Sequence, residues 1–371
     1  MKLRHTAAAL AGIAVLAITA CSSPAPSPTP TAAPVASDYD DATLAALGGD
    51  ANAAYLDGLY AEAVAAGQKT ITVYGITATS SASLYAAFSA RYPDITVNHV
   101  TIFGAELQSK IAAEQATGQY TVDNVSVSGA DAVFVSDNDY VEEIDVPAAE
   151  ALDERYKPAG ETLFGGNTYL YTLSYNTDLM DEADVPTTFE ELADSEWKGK
   201  IGMYDPLAGP TGFIAAAIDD GKLKESYLDD IKDLDPVIFP SERDLFTAVS
   251  TGQVQMGLGN YVRGQAFLDV DSLPVAFVAG FEDGVSDGVF YRGTVKNAPN
   301  ELASNLLVNW WLTPEAQELI SIQGQYGLMP DAPAVPGQPE LADVTFNPGP
   351  EFEEYGDYTA KYLAMFKKYF S

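Results

Sequence analysis

The chain has 371 residues, of which 19 are Lys or Arg and 53 are Asp or Glu, giving a formal net charge of −34. An acidic excess of this size argues against a nucleic-acid surface, which needs clustered Lys and Arg to displace counterions from phosphates. Net charge sets solubility and long-range steering, so the sign of a local pocket stays open.

Met1-Lys2-Leu3-Arg4 is a basic start, and residues 7–20 form an apolar run too short to span a bilayer but suited to a signal peptide. The run ends Ile18-Thr19-Ala20-Cys21, which resembles the lipobox of bacterial lipoproteins. That resemblance implies cleavage before Cys21 and its thioether lipidation. Cys21 is the sole cysteine, so no disulfide or second thiol is expected, and stability must come from packing. Residues 22–38 hold prolines at 24, 26, 28, 30 and 34 among Ser, Thr and Ala, the composition of an extended tether. The length that remains suits two domains of ordinary size.

Residues 52–66 read as an amphipathic helix with Tyr55, Leu59 and Ala63 on one side and Gly67 as its stop. Residues 71–74 read as a strand leaving through Gly75 into the hydroxyl-rich turn of Thr77, Thr79, Ser80, Ser81 and Ser83. Leu84 and Phe88 then recur at helical spacing until Tyr92-Pro93. A strand feeding a helix through such a turn aims free N–H groups at one spot, which suits an oxyanion. Alternatively, one hydroxyl caps the helix and the others are solvated.

Residues 95–102 follow as a strand and 105–115 as a helix, while 123–128 and 132–135 are strand-like. This alternation predicts an α/β domain with a largely parallel sheet, whose ligands bind beyond the strands' carboxyl ends. Ser126 and Ser128 lie near one such end. Residues 165–177 read as a strand crossing between lobes, and 198–206 as the first strand of a second lobe. Its loop, with Pro210, Thr211 and Gly212, opens another helix and repeats the earlier design. A helix over 245–249 precedes a strand over 254–258 that leads to Tyr261 and Arg263; residues 274–279 are expected to cross back. Leu302, Leu306 and Trp310 form a core face, Thr313-Pro314-Glu315 starts a helix, and residues 358–370 form the last one.

His5 leaves with the signal peptide and His99 stands alone in a strand, so His-rich metal sites and paired-His chemistry are not expected, nor is any cofactor. The chain has no GxGxxG and no Walker loop. An enzyme is the weaker hypothesis.

Four blocks carry a wider resemblance: Y-A-E-A-V-A-A-G-Q-K-T-I-T-V-Y-G (60–75), S-Y-N-T-D-L (174–179), T-T-F-E-E-L-A-D-S-E-W-K-G-K-I-G-M-Y-D-P (187–206) and V-K-N-A-P-N-E-L-A-S-N-L-L-V-N-W-W-L-T-P-E-A-Q (295–317). In these the chain resembles bacterial extracellular solute-binding proteins of ABC importers, the branch with iron(III), phosphosugar, phosphonate and polyamine binders. The resemblance implies a two-lobed α/β fold of the type II periplasmic-binding-protein kind, with a ligand cleft between hinged lobes. One lobe would hold 41–165 plus 276–325 and the other 166–275 plus 326–371, after a signal peptide at 1–20 and a tether at 21–40. It implies ligand contacts from Thr77, Thr79, Ser80, Ser81, Ser126, Ser128, Pro210, Thr211, Gly212 and Tyr261, with Arg263 as a charged neighbour. The expected product is a monomeric, lipid-anchored receptor on the extracellular face of the membrane, handing solute to an ABC permease.

Iron binders of the branch place adjacent tyrosines where this chain has Tyr261-Val262, and often a histidine in the opening loop, where it has none. A small organic anion, phosphorylated or a phosphonate, is therefore favoured over iron(III), and no metal ligands are assigned. A lipoprotein enzyme or adhesion module on the same fold is the alternative from another class.

Overall fold

The structure is a computed structural model. It describes residues 39–76, 78–207, 212–262, 268, 272–347 and 349–371, with the backbone alone at 78–80, 212 and 261. The strands are β1 (Thr70–Gly75), β2 (Thr96–Thr101), β3 (Asn124–Val127), β4 (Phe164–Asn176), β5 (Ile201–Tyr204), β6 (Val237–Phe239), β7 (Met256–Tyr261), β8 (Val275–Phe277), β9 (Ser286–Thr294) and β10 (Tyr326–Gly327). The helices are α1 (Asp41–Ala46), α2 (Asp50–Ala65), α3 (Ala78–Arg91), α4 (Gly104–Thr117), α5 (Gly129–Asp137), α6 (Phe189–Leu192), α7 (Gly212–Asp219), α8 (Tyr227–Asp233), α9 (Glu242–Ser250), α10 (Glu301–Trp311), α11 (Pro314–Ile322) and α12 (Tyr355–Phe370).

One mixed sheet runs β2-β1-β3-β9-β4-β7-β5-β6, with β8 and β10 also paired to β4. Strand β1 is parallel to β2 and β3, and β5 is parallel to β6 and β7. These two parallel groups are joined by β4 and β9, which run antiparallel to each other and to their neighbours. The first part of β4 pairs with β9 from Phe164 to Tyr171, and the rest pairs with β7. The segment expected to cross back, around β8, instead pairs with β4 at Ser174–Asn176; the strand that returns to β3 is β9.

The apolar core follows the same division. One cluster joins Leu170, Trp197, Phe213, Leu245 and Phe281 with Tyr362 and Phe366 of α12. Two others flank β1 and β3: Leu107, Ile111, Val125 and Tyr291 form one, and Leu56, Val73, Phe88, Trp310 and Trp311 form the other. Strand β3 is buried on both faces, with Val125 and Val127 on one and Asn124 and Ser126 on the other, where Asn124 Nδ2 donates to Ser304 Oγ at 3.1 Å.

Local chemistry sets the ends. Gly67 and Gly118 take φ of +74° and +69° at the ends of α2 and α4, where side chains with a Cβ are disfavoured. Thr313 caps α11 by accepting from Ala316 N, with Pro314 at the first helical position. The buried Asp123 carboxylate accepts from Thr72 N and Asn300 N, both at 2.7 Å, and so ties β1 to the start of α10. The inward face of α2 is Ala53, Leu56 and Ala63; Tyr55 and Leu59 are only partly covered. Residues 132–135, expected as strand, lie within α5.

Candidate functional site

Strands β1, β3 and β5 are each followed, as the next element in the chain, by a helix: α3, α5 and α7. Thr79 and Ser80 fall in the first turn of α3, and Ser81, in the same turn, is 5% exposed. Thr77, Pro210, Thr211 and Arg263 lie outside the described residues. Gly212 opens α7. Tyr261 ends β7 in register with Tyr171 of β4. Ser126 is buried in β3, in register with Gly75 on one side and Arg292 on the other.

Ser128 is the N-cap of α5, in an extended conformation, and its side chain makes no capping hydrogen bond. With Gly129 and Ala130 it borders a cavity of about 310 Å³. The other walls are Tyr171 of β4, Tyr204 at the end of β5, Ala216 of α7, residues 286–289 of β9, Gly349, Pro350, and Tyr355, Tyr358 and Thr359 of α12. The cavity therefore gathers elements from both parallel groups against the strands that join them. Of the residues singled out from sequence, Ser128 lines it, Gly212 sits one turn before its lining residue Ala216, and Tyr261 pairs beside its lining residue Tyr171.

Tyrosine dominates the cavity, and burial pushes the Tyr204 and Tyr358 phenols up, and Tyr355 to about 12. At neutral pH they are uncharged hydrogen-bond donors. The Asp287 carboxylate accepts from Arg155 Nη2 at 2.6 Å, and burial pushes its pKa up against the pull of that guanidinium. Arg155 is in turn held over the rings of Tyr156 and Phe346. This wall thus carries a neutralised ion pair rather than a bare charge. Ser286 Oγ is buried with no hydrogen-bond partner. A buried hydroxyl without a partner is costly unless something fills its place.

Sequence reasoning missed Tyr171, Tyr204, Ser286, Asp287, Tyr355 and Tyr358. The i, i+3 spacing of Tyr355 and Tyr358 was the available signal, since it puts both on one helix face. His99 is half-buried, with Nδ1 3.3 Å from Tyr85 Oη and Nε2 3.3 Å from Gly75 O, and burial holds its pKa below the usual value. Among the described residues, no group of three or more His, Cys, Asp or Glu could hold a metal ion. A larger groove of about 680 Å³, between α2, residues 147–151 and the start of α11, contains none of the expected ligand-contact residues.

This architecture is the type II periplasmic-binding-protein fold, and solved structures of that fold superpose on most of the chain. Iron-bound HitA from Pseudomonas aeruginosa aligns with a TM-score of 0.66 at 18% identity, over 81% of this chain and 99% of HitA. AfuA from Actinobacillus pleuropneumoniae, with fructose-6-phosphate bound, aligns with a TM-score of 0.63 at 18% identity, over 82% of this chain and 99% of AfuA. The open form of Mannheimia haemolytica ferric iron-binding protein A gives 0.62 at 15% identity, over 81% of this chain and 98% of that one. No curated protein matches the sequence significantly. Residues 83–353 match the bacterial extracellular solute-binding proteins, and the chain belongs to that family.

Proposed function

We propose that this solute-binding protein is the receptor of an ABC importer for a small organic anion bearing a phosphoryl or phosphonyl group. The observation that carries this reading is the start of α5, where Ser128, Gly129 and Ala130 border the tyrosine-lined cavity. Free N–H groups and the helix dipole favour an anion there by about 0.3–1 kcal/mol, and up to about 2 when partly buried. Neutral tyrosine hydroxyls add donors without a competing charge, and the Asp287 carboxylate is matched by Arg155. The turns at Thr77, Thr79, Ser80 and Ser81, and at Pro210, Thr211 and Gly212, would complete the grip, with Ser126, Tyr261 and Arg263 beside it. Residues 41–165 plus 276–325 would move against 166–275 plus 326–371, closing on the solute. The mature receptor would be anchored through lipidated Cys21 on the extracellular face of the membrane and would deliver solute as a monomer.

A second reading is iron(III), favoured by the several hard oxygen groups of Tyr171, Tyr204, Tyr355, Tyr358 and Asp287 around one cavity. It requires phenols that burial holds protonated to ionise on the metal. Calorimetric titration with sugar phosphates, aminophosphonates, inorganic phosphate and ferric citrate separates the two. The anion reading expects saturable 1:1 binding of an organic phosphate or phosphonate with no turnover. Binding of the ferric sample alone, with a coloured tyrosinate band, would overturn it. Consumption of a bound ester would instead point to an enzyme.

A further inference from the structure

The last helix carries an aromatic stripe and lies beyond residues 83–353, the part that matches the family. Tyr355, Tyr358, Tyr362 and Phe366 recur at helical spacing, which puts them on one face of α12. The Tyr355 and Tyr358 ring centroids are 6.4 Å apart, and those of Tyr358 and Tyr362 4.5 Å. A helix of 16 residues reaches about 24 Å, far enough to pass from one apolar cluster to another. It does so. Phe352, just before the helix, lies in the cluster of Leu107, Val125 and Tyr291, edge-on to the Tyr291 ring at 5.7 Å, and Tyr355 packs against the same cluster. The Tyr355 ring covers Gly129 at the start of α5, where a Cβ would stand 3.4 Å from it. Tyr362, Met365 and Phe366 lie instead in the cluster of Leu170, Phe213 and Leu245. Polar bonds hold that end as well. Tyr362 Oη and Lys361 Nζ donate to Asp219 Oδ1 at 2.6 and 2.9 Å, and Lys368 Nζ and Tyr369 Oη donate to Glu225 Oε1 at 3.0 and 3.2 Å. Asp219 ends α7 and Glu225 precedes α8, both in the stretch that links β5 to β6.

We infer that α12 is a latch between the two halves of the protein, fixed at its Tyr362–Phe370 end and releasable where Phe352 and Tyr355 rest on the half that holds β1 and β3. The inference rests on the lobe movement proposed above and names the contact that restrains it. The two ends differ in kind. The fixed end combines buried rings with charge-assisted bonds to Asp219 and Glu225, and breaking it strands charges. The other end is held through ring contacts, which part without leaving a buried charge behind. Its release uncovers Gly129, so the latch also governs the approach to the start of α5.

The test is double electron–electron resonance on the full chain carrying Cys21→Ser, with spin labels at Ser109→Cys of α4 and Thr247→Cys of α9. Both positions are exposed, and they lie on opposite halves. With α12 unaltered, one distance should dominate. Tyr355→Ala and Phe352→Ala should each raise the ratio of longer to dominant distance roughly three- to tenfold, the weight of one ring pair. Either carries the test if the other fails to fold. Lys368→Ala removes an exposed ion pair at the fixed end but neither buried ring, and it should match the unaltered helix. Long distances already abundant with α12 unaltered, and not increased by the ring variants, overturn the latch while lobe movement stands. A Lys368→Ala chain that opens as far as Tyr355→Ala puts the release at the wrong end and also overturns it. If all the folded chains share one narrow distance, the lobe-movement reading fails and takes the inference with it.

Discussion

The guanidinium carbon of Arg292 lies 3.2 Å from the ring centroid of Trp311, inside the core between the sheet and α10. Arg292 is 2% exposed, donates through Nη1 to Tyr85 Oη at 3.2 Å, and has no partner at Nε. Among the described residues it forms no ion pair, and burial pulls its pKa down. Stacking on an aromatic face, rather than a carboxylate, is what makes the buried charge tolerable.

Lysine at this position keeps the charge but loses the planar stack, whereas methionine keeps most of the volume and removes the charge. We expect Arg292→Lys to cost about 2–3 kcal/mol and Arg292→Met about 1 kcal/mol or less. Urea unfolding of the two variants checks this. A methionine variant less stable than the lysine variant would mean the charge has a partner that contributes more than its burial costs.

Gly75 ends β1 where the chain turns toward α3. A Cβ there would stand 2.5 Å from Ser126 O and 2.8 Å from Ser126 Cβ, so β1 and β3 would have to separate. Backbone cannot yield as a side-chain tip can, and Gly75→Ala should cost about 1–3 kcal/mol. Thermal unfolding reads the effect, and an unchanged melting temperature would show that the strands have room to part.

Glu114 gives a pH dependence with a definite sign. Burial pushes its carboxyl up, but hydrogen bonds from Thr121 Oγ1, Thr121 N, Tyr74 Oη and Val122 N outweigh this and hold its pKa below the ordinary 4.5. A depressed carboxylate contributes stability that is present above its unfolded pKa and lost as pH falls through its folded one. Glu114→Gln should therefore trail wild type by about 1–2 kcal/mol at pH 7. The gap should close as pH drops below 4.5. A gap independent of pH down to acid unfolding would show that the charge has no part in it.

The proposed anchor depends on one atom. If Cys21 Sγ carries the lipid, Cys21→Ser moves the protein from the membrane fraction to the soluble fraction. Equal membrane recovery of the variant would place the anchor elsewhere.

The strand–turn–helix units at β1–α3 and β5–α7 were legible because β-branched and aromatic residues stop at Gly75 and at Asp205-Pro206, and helical spacing then begins. The short run Ala132-Val133-Phe134-Val135 reads equally well as strand or buried helix, and its place in α5 is set by Ser128 and Gly129 ahead of it and by packing on both sides. The return strand was misplaced for a related reason. The apolar run at β8 carries the stronger local pattern, whereas β9 contains Asp287, Arg292, Gly288 and Gly293, which make sense only against Arg155, Trp311, Tyr171 and the Thr162 backbone. At the cavity, Ser128 was readable as a residue at a strand end. Tyr355 and Tyr358 were not, because only the tertiary fold brings the last helix to a strand end more than two hundred residues earlier.

The most direct measurement is mass spectrometry of small molecules released when the purified, folded protein is denatured. One organic anion bearing a phosphoryl or phosphonyl group, near one per chain, is expected, and it should rebind intact to fresh protein. Release of iron without such an anion, or recovery of a chemically altered solute after rebinding, would contradict it.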